Sequence, residues 1–193
     1  MPHSLRQTIT SLVPNVSPDD VTYFLSHVSR RELAAREILI NEGDICDFVA
    51  YVETGVLRTF LQKDGRELNT EFFLDNTFAS AFTSYLQHSI TQLTVQALEP
   101  CIIFIIPKAL LDEMYLRDPN WYALGKYMFE TEFIKKCKRE SSFLKDDART
   151  RYLSLLAQYP TLEERVPLNH IASYLGIQPE TLSRIRAEKI NAS

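Results

Sequence analysis

Long hydrophobic runs are missing from this chain of 193 residues. The longest, residues 101–106, holds six apolar residues, where a membrane-spanning helix needs roughly 18. The opening Met1-Pro2-His3-Ser4-Leu5-Arg6 has no apolar core of the kind a secretory leader carries, so no leader and no membrane partner are expected. Cysteine is scarce: Cys46, Cys101 and Cys137 are odd in number, widely spaced and without a CxxC. That excludes a disulfide framework and the usual zinc and iron–sulfur spacings, and a reducing cytoplasm is the expected location. The four histidines, His3, His27, His88 and His170, are scattered and read as surface or capping residues rather than metal ligands. Ser80, Thr83 and Ser84 have no histidine or acid at a recognisable spacing, so no catalytic residue is assigned and the chain is not expected to be an enzyme. Repeats and low-complexity tracts are absent as well.

Basic charge is also short. With 21 Lys+Arg against 25 Asp+Glu, the formal net charge is −4. On the scale of the whole chain this disfavours a nucleic-acid partner, because phosphate binding wants basic surface. The deficit is local, however. Residues 1–144 carry 14 basic and 19 acidic side chains, whereas residues 145–193 carry 7 and 6. Residues 135–151 hold seven basic side chains against Glu140, Asp146 and Asp147.

What is present is a clear change of texture along the chain. Ser17-Pro18-Asp19-Asp20 predicts a helix start, with Ser as cap, Pro in the first turn and acids at the positive helix end. Residues 33–107 alternate short Val-, Ile-, Phe- and Tyr-rich runs with turn signals. Asp64-Gly65 between two such runs is the strongest hairpin signal. This predicts an antiparallel sandwich or roll, with residues 101–106 as a strand buried on both faces. After Pro107 the pattern turns helical: a short helix over 108–117, then a long one opened by Asp118-Pro119-Asn120. The long helix carries Trp121, Leu124, Met128, Phe129, Phe133, Ile134 and Cys137, more than one apolar stripe. Periodicity leaves open whether its second face is buried inside the chain or against another chain. A further amphipathic segment, residues 148–159, stops at Pro160.

Residues 166–186 are the most informative. Ile171, Ala172 and Leu175 share one helix face, Gly176 supplies a turn, and Pro179-Glu180 starts a second helix whose Leu182 and Ile185 point back. This is a helix-turn-helix plan that leaves Glu180, Thr181, Ser183 and Arg184 facing outward, residue types able to read base edges. The same features also suit a small structural helical unit, in which Glu180–Arg184 is an i,i+4 ion pair.

Over nearly its whole length the chain resembles the CRP/FNR family of bacterial transcription regulators. The resemblance runs through the N-terminal helix, Glu42-Gly43-Asp44 and Gly55, the long helix, and above all residues 171–186. It implies an α+β fold in three parts: an N-terminal helix and antiparallel, jelly-roll-like β-roll of the cyclic-nucleotide-binding type (1–117), a dimerisation helix (118–144) and a helix-turn-helix DNA-binding domain (145–193). It implies a homodimer built on Trp121, Leu124, Met128, Phe129 and Phe133, bound to double-stranded DNA at a near-palindromic site, with RNA polymerase as a further partner. DNA contacts are expected from Gln178, Glu180, Thr181, Ser183, Arg184, Arg186 and Lys189, with Lys145, Arg149 and Arg151 in support.

The sequence departs from the family in two places. Where the family has a Gly-Glu pair and a later Arg-Ser or Arg-Thr for the cyclic phosphate, this chain reads Ala79-Ser80-Ala81 and Thr91-Gln92. Residues 78–98 contain no Lys or Arg. Burying a phosphate without a cation costs several kcal/mol, so cyclic AMP is not expected to bind in the family's usual way. No cofactor is assigned and the effector is unknown. A possible effector pocket comprises Phe72, Phe78, Ser80, Phe82, Thr83, Tyr85 and Thr91, though filling the roll is the more ordinary task for its aromatic members. After the second helix only Ile190-Asn191-Ala192-Ser193 remain, so the C-terminal wing common in the family is expected to be missing. The competing reading is a ligand sensor whose C-terminal helices dock a protein partner.

Overall fold

The computed structural model describes residues 3–190. Two helices, α1 (His3–Leu12) and α2 (Pro18–His27), lead into the strands β1 (Ser29–Leu33), β2 (Ile38–Ile40), β3 (Phe48–Thr54), β4 (Leu57–Lys63), β5 (Arg66–Phe73) and β6 (Thr77–Ala79). A short helix, α3 (Phe82–Gln87), precedes β7 (Thr94–Ala97) and β8 (Cys101–Pro107). Then follow α4 (Lys108–Arg117), a 3-10 turn at Pro119–Trp121, α5 (Tyr122–Lys145), α6 (Ala148–Gln158), α7 (Leu162–Arg165), α8 (Leu168–Leu175) and α9 (Pro179–Ile190). Among the described residues no helix is long and apolar enough to cross a membrane.

Local chemistry explains the boundaries. The Ser17 side chain accepts the Asp19 N–H, and Pro18 occupies the first turn of α2. Asp64 and Gly65 both sit at positive φ (51° and 71°), the backbone of a tight hairpin joining β4 to β5. The strands form two four-stranded antiparallel sheets, ordered β1-β8-β3-β6 and β2-β7-β4-β5. They face each other as a roll, with Leu57, Phe73, Val95, Ala97 and Ile103 between them. The fold is therefore the α+β, jelly-roll-like class expected. β8 runs centrally between β1 and β3; Cys101, Ile103, Phe104 and Ile106 are buried and Ile102 and Ile105 half-buried, so its burial is nearly two-sided.

A second core lies outside the first sheet, where α1, α2, α4 and the start of α5 close over Tyr51, Phe104 and Ile106. Helix α1 goes beyond the sequence pattern described above. Leu5, Ile9 and Val13, one turn apart, are almost wholly buried, and Thr8 hydrogen-bonds the Tyr51 hydroxyl. Trp121, Leu124 and Met128 belong to this core. They cannot also face a second chain, which corrects three of the five residues assigned to a dimer helix. Phe129 packs half-buried beside them, against Phe82 and Tyr85, and Phe133 is 69% exposed. The exposed face of α5 is instead marked by Tyr127, Phe133, Ile134 and Leu144. Tyr127, Glu130, Ile134, Cys137, Ser141 and Leu144 recur at alternating spacings of three and four, the period of a coiled-coil seam.

Gly55, between β3 and β4, shows how closely this turn approaches the start of β8. Its φ is +112°, and a Cβ there would lie 2.4 Å from Cys101 Sγ and 2.8 Å from Cys101 Cα. Both the backbone conformation and the backbone neighbour resist a side chain. Gly55→Ala is expected to lower stability by about 2–4 kcal/mol in urea unfolding; an unchanged midpoint would contradict this account of the turn.

Candidate nucleic-acid interface and its seat on the roll

The last four helices build a compact unit. Ile171, Ala172 and Leu175 on α8 and Leu182 and Ile185 on α9 are buried together with Tyr152 and Leu155 of α6, Leu162 of α7, and Val166. Gly176 ends α8 in the left-handed region (φ 68°), and its N–H bonds back to Ala172 and Ser173. A Cβ at Gly176 would come within 2.7 Å of the Phe143 ring, so the turn and the end of α5 fit only a glycine. Ile177 N–H returns to Ala172 O, and α9 then starts at Pro179.

This leaves Gln178 exposed just before α9 and Glu180, Ser183 and Arg184 on its exposed side, with Thr181 half-exposed. The Glu180–Arg184 pair suggested by spacing is not formed among the described side chains. The ion pairs of α9 run to other helices: Arg186 Nε donates to Glu163 Oε1 (2.7 Å), and Glu188 takes Arg149 Nη1 (3.0 Å). Arg186 differs from its expected outward place. It lies one turn after Leu182 and one residue after Ile185, on the flank of the buried face, and Glu163 also holds the Tyr152 hydroxyl. It braces α9 against α7. The side chain of Lys189 lies outside the described residues.

Basic side chains gather behind the turn. A cleft of about 800 Å³ between the end of α5, α6 and the end of α8 is lined by Lys135, Lys138, Arg139, Lys145 and Arg151. Arg139 donates to Tyr174 O and Arg151 to Asp146 O and Leu175 O, and both guanidinium groups stack on Phe143. Their hydrogen bonds go to main-chain carbonyls rather than to carboxylates, although Arg151 also lies close enough to Asp147 to help the Thr150 N–H hold that carboxyl below its ordinary range.

The helical unit is seated on the roll. β5 is an edge strand, and its open hydrogen-bonding groups are taken by α8: Asn69 N–H donates to Ser173 Oγ (3.0 Å), which itself donates to Glu67 O (2.9 Å). Beside this contact Arg58 of β4 is 3% exposed. It donates to Gln96 Oε1, Asn69 Oδ1, Glu67 Oε2 and His170 Nδ1, and it stacks on Phe60. His170 is thus a partner of the roll, turned away from the exposed side of α9. Burial, and then the Arg58 charge, push its pKa down to about 4. At the other end Arg165 bridges Asp75 and Glu99. Burial works against the Asp75 charge, but its bonds from Arg165 and the Gly55 N–H outweigh it and hold the carboxyl below its ordinary range. Val56, Phe72 and Leu74 of the roll complete the apolar core of the helical unit, with Phe72 against Tyr174 (centroids 5.2 Å apart).

The seven residues grouped as an effector pocket are not all brought together: Phe78, Phe82 and Tyr85 share one core, and the others lie apart from it. Phe72 faces the helical unit, whereas Phe78 and Tyr85 lie in the core under α1 and α5. Ser80 bonds Phe48 O, Thr91 accepts the Leu93 N–H, Phe82 meets Phe129 edge-on, and Thr83 is exposed. The sequence reading did not place Arg58, Arg165 or Ser173 in any site; no local pattern marks them, because their hydrogen-bond partners lie 38 to 112 residues away, apart from the Glu67 and Asn69 of Arg58.

With this geometry in hand, the chain can be set beside known proteins. The model of the cyclic nucleotide-binding domain matches residues 30–118. The transcriptional activator protein Anr of Pseudomonas protegens is 27% identical, over 80% of this chain and 68% of its own. The structure of FixK2 from Bradyrhizobium japonicum superposes with a TM-score of 0.75 at 17% identity, covering 86% of this chain and 85% of that one. A putative regulator of the CRP/FNR family from Eubacterium rectale gives a TM-score of 0.72 at 19% identity, over 95% and 88%.

Two outcomes test the seat. Arg165→Ala is expected to cost about 1–3 kcal/mol and to speed amide exchange in α7 and α8 while β3 stays protected. Because the unfolded chain binds a proton at His170 near pH 6.5 and the folded one only near 4, stability should fall as pH drops through that interval. His170→Asn should flatten that part of the pH profile of chemical unfolding; a slope unchanged by the substitution would contradict the assignment.

Proposed function

We propose that the chain is a transcriptional regulator of the CRP/FNR type that binds promoter DNA sequence-specifically as a homodimer, under control of an effector; its likeness to the cyclic nucleotide-binding domain and to the activator Anr supports this reading. The observation that carries this reading is the exposed row Glu180, Ser183 and Arg184, with Gln178 just before it, on a helix whose opposite side is fully packed. Arg184 can donate two hydrogen bonds to guanine, and Glu180 can accept from cytosine N4. Thr181 and Ser183 suit bases or phosphates, and Lys145 with Arg139 and Arg151 suits the flanking backbone.

Dimerisation is supported by the seam on α5. Two parallel copies would bury Tyr127, Ile134 and Leu144, and a two-fold axis there would set the recognition helices about 34–36 Å apart, one DNA turn, on a near-palindromic site. In this reading residues 1–117 serve as sensor, 118–144 as dimer helix and 145–193 as DNA-binding domain. Control is a population shift: α8 seated on β5 and the pairing of α5 together set the orientation of α9, and an effector biases one arrangement. Cyclic AMP in the family's usual mode is not part of this proposal, since residues 78–98 offer no cation for its phosphate. RNA polymerase is the natural further partner of a promoter-bound dimer.

The test is binding to genomic fragments at two salt concentrations. The parent protein is expected to select particular fragments, and Arg184→Ala to lose about 1–3 kcal/mol and relax that preference at one base position. Equal, purely salt-controlled binding by both proteins would overturn base reading and leave the C-terminal helices as a protein-docking unit.

A further inference from the structure

Strand β5, helix α5 and the C-terminal unit meet around one buried carboxyl. Glu71 of β5 is 3% exposed. The next residue, Phe72, packs against Tyr174 of α8 (centroids 5.2 Å apart), and the Lys135 ammonium of α5 lies over the Phe73 ring at 5.5 Å. Tyr159, which follows α6, lines a cavity of about 100 Å³ together with Glu132 and Lys135. Parts of the chain far apart in sequence thus converge on one place.

A second buried carboxyl belongs to the same junction. Glu132 of α5 is 6% exposed; its Oε1 accepts a hydrogen bond from Lys135 Nζ (2.9 Å), while its Oε2 is buried without a hydrogen-bond partner. Lys135 is thereby engaged by Glu132, and Lys136 is exposed to solvent. Burial first, and then the Glu132 charge, oppose ionisation of Glu71. Lys135, Lys136 and the Phe72 N–H work the other way without offsetting them, and the carboxyl is pushed up to about 7. The residue opposite on β4 is the uncharged Thr59, Arg58 being turned to Glu67, Gln96 and His170. The other titratable neighbours are Tyr159 and Tyr174, whose hydroxyls burial, and then Glu71, keep protonated.

Two states of the junction follow. With a proton on Glu71, the buried charges are those of the hydrogen-bonded Glu132–Lys135 pair alone. With Glu71 ionised, a second negative charge is enclosed between a strand of the roll, the long helix and Tyr174 of α8. Opening that contact to water relieves the burial and the repulsion together.

We propose that Glu71 is a proton-operated latch between the roll and the C-terminal helices: protonated, it lets β5, α5 and α8 close on one another, and ionised, it loosens them. The latch acts on the seat of the C-terminal unit whatever that unit binds. Its sign is fixed by linkage. An opened contact returns Glu71 to its ordinary value of 4.5, whereas the closed one holds the proton to about 7, so closure weakens as pH rises through that interval. His170 in the folded chain titrates only near pH 4. The Arg58–His170 contact therefore keeps its charge between pH 6 and 8, where Glu71 changes.

The test uses the full chain labelled with carbon-13 at the glutamate carboxyls, followed by NMR from pH 5.5 to 8.5. One glutamate is expected to titrate with a midpoint near 7, and Glu71→Gln to remove that signal. Glu132→Gln, which takes away the facing charge, should move the midpoint downward, and it identifies the carboxyl even if Glu71→Gln fails to fold. Amide exchange in α8, corrected for its intrinsic pH dependence, should quicken about tenfold between pH 6 and 8 in the parent and stay level in Glu71→Gln. The proposal is overturned by the absence of any glutamate titrating above pH 6, or by a midpoint near 7 that neither variant moves. An α8 exchange profile that does not change with pH, or that keeps its pH dependence in Glu71→Gln, overturns it equally.

Discussion

An open strand edge is covered by a helix of another unit, and the orientation of α9 depends on that cover. β5 ends the second sheet with unpaired main-chain groups, a liability wherever a sheet stops. Ser173 of α8 takes up two of them, and Arg58, buried among Asn69, Gln96, Glu67 and His170, ties the same helix to β4. The contact also has an apolar half. The buried core of the C-terminal helices borrows Val56, Phe72 and Leu74 from the roll. A unit of under 50 residues has little core of its own and is marginal alone, so it gains stability by sharing one.

This arrangement gives the exposed row of α9 its physical meaning. Leu182 and Ile185 anchor the helix inward, Arg186 braces it to Glu163, and what is left facing solvent is a polar row without ion pairs to one another. Recognition surfaces work best when their own geometry is settled before the partner arrives. Here the settling is done by residues that make no outward contact. The charge distribution follows the same division, with the guanidinium groups of Arg139 and Arg151 on main-chain carbonyls near the turn and an acidic surplus in residues 1–144.

Much of this was legible in the sequence where one residue type decides the local backbone. Ser17-Pro18, Asp64-Gly65 and Gly176-Ile177 mark a cap, a hairpin and a helix turn because their conformational preferences are intrinsic. The core residues of the two C-terminal helices follow from a single period. Helix α1 was harder to see, since its buried stripe is one residue wide: Leu5 and Ile9 among polar neighbours. The α5 seam was obscured by its own richness. Trp121, Leu124 and Met128 fit a helical period as well as Tyr127, Ile134 and Leu144 do, and only packing separates the face turned to the roll from the face turned to solvent. Arg58 and Arg165 could not be assigned at all, because a charged residue in a strand or a short helix acquires its role from partners that the chain brings together only on folding.

If α8 and the roll form one cooperative structure, they should unfold together. The most direct test follows urea unfolding with two probes at once: the fluorescence of Trp121, the chain's one tryptophan, buried in the core beneath α1, and the amide protection of α8 and α9. The account predicts coincident transitions with one midpoint and one slope. A separate, earlier melting of α8 and α9 while Trp121 stays buried would contradict it, and would make the C-terminal helices an independent unit tethered to the roll.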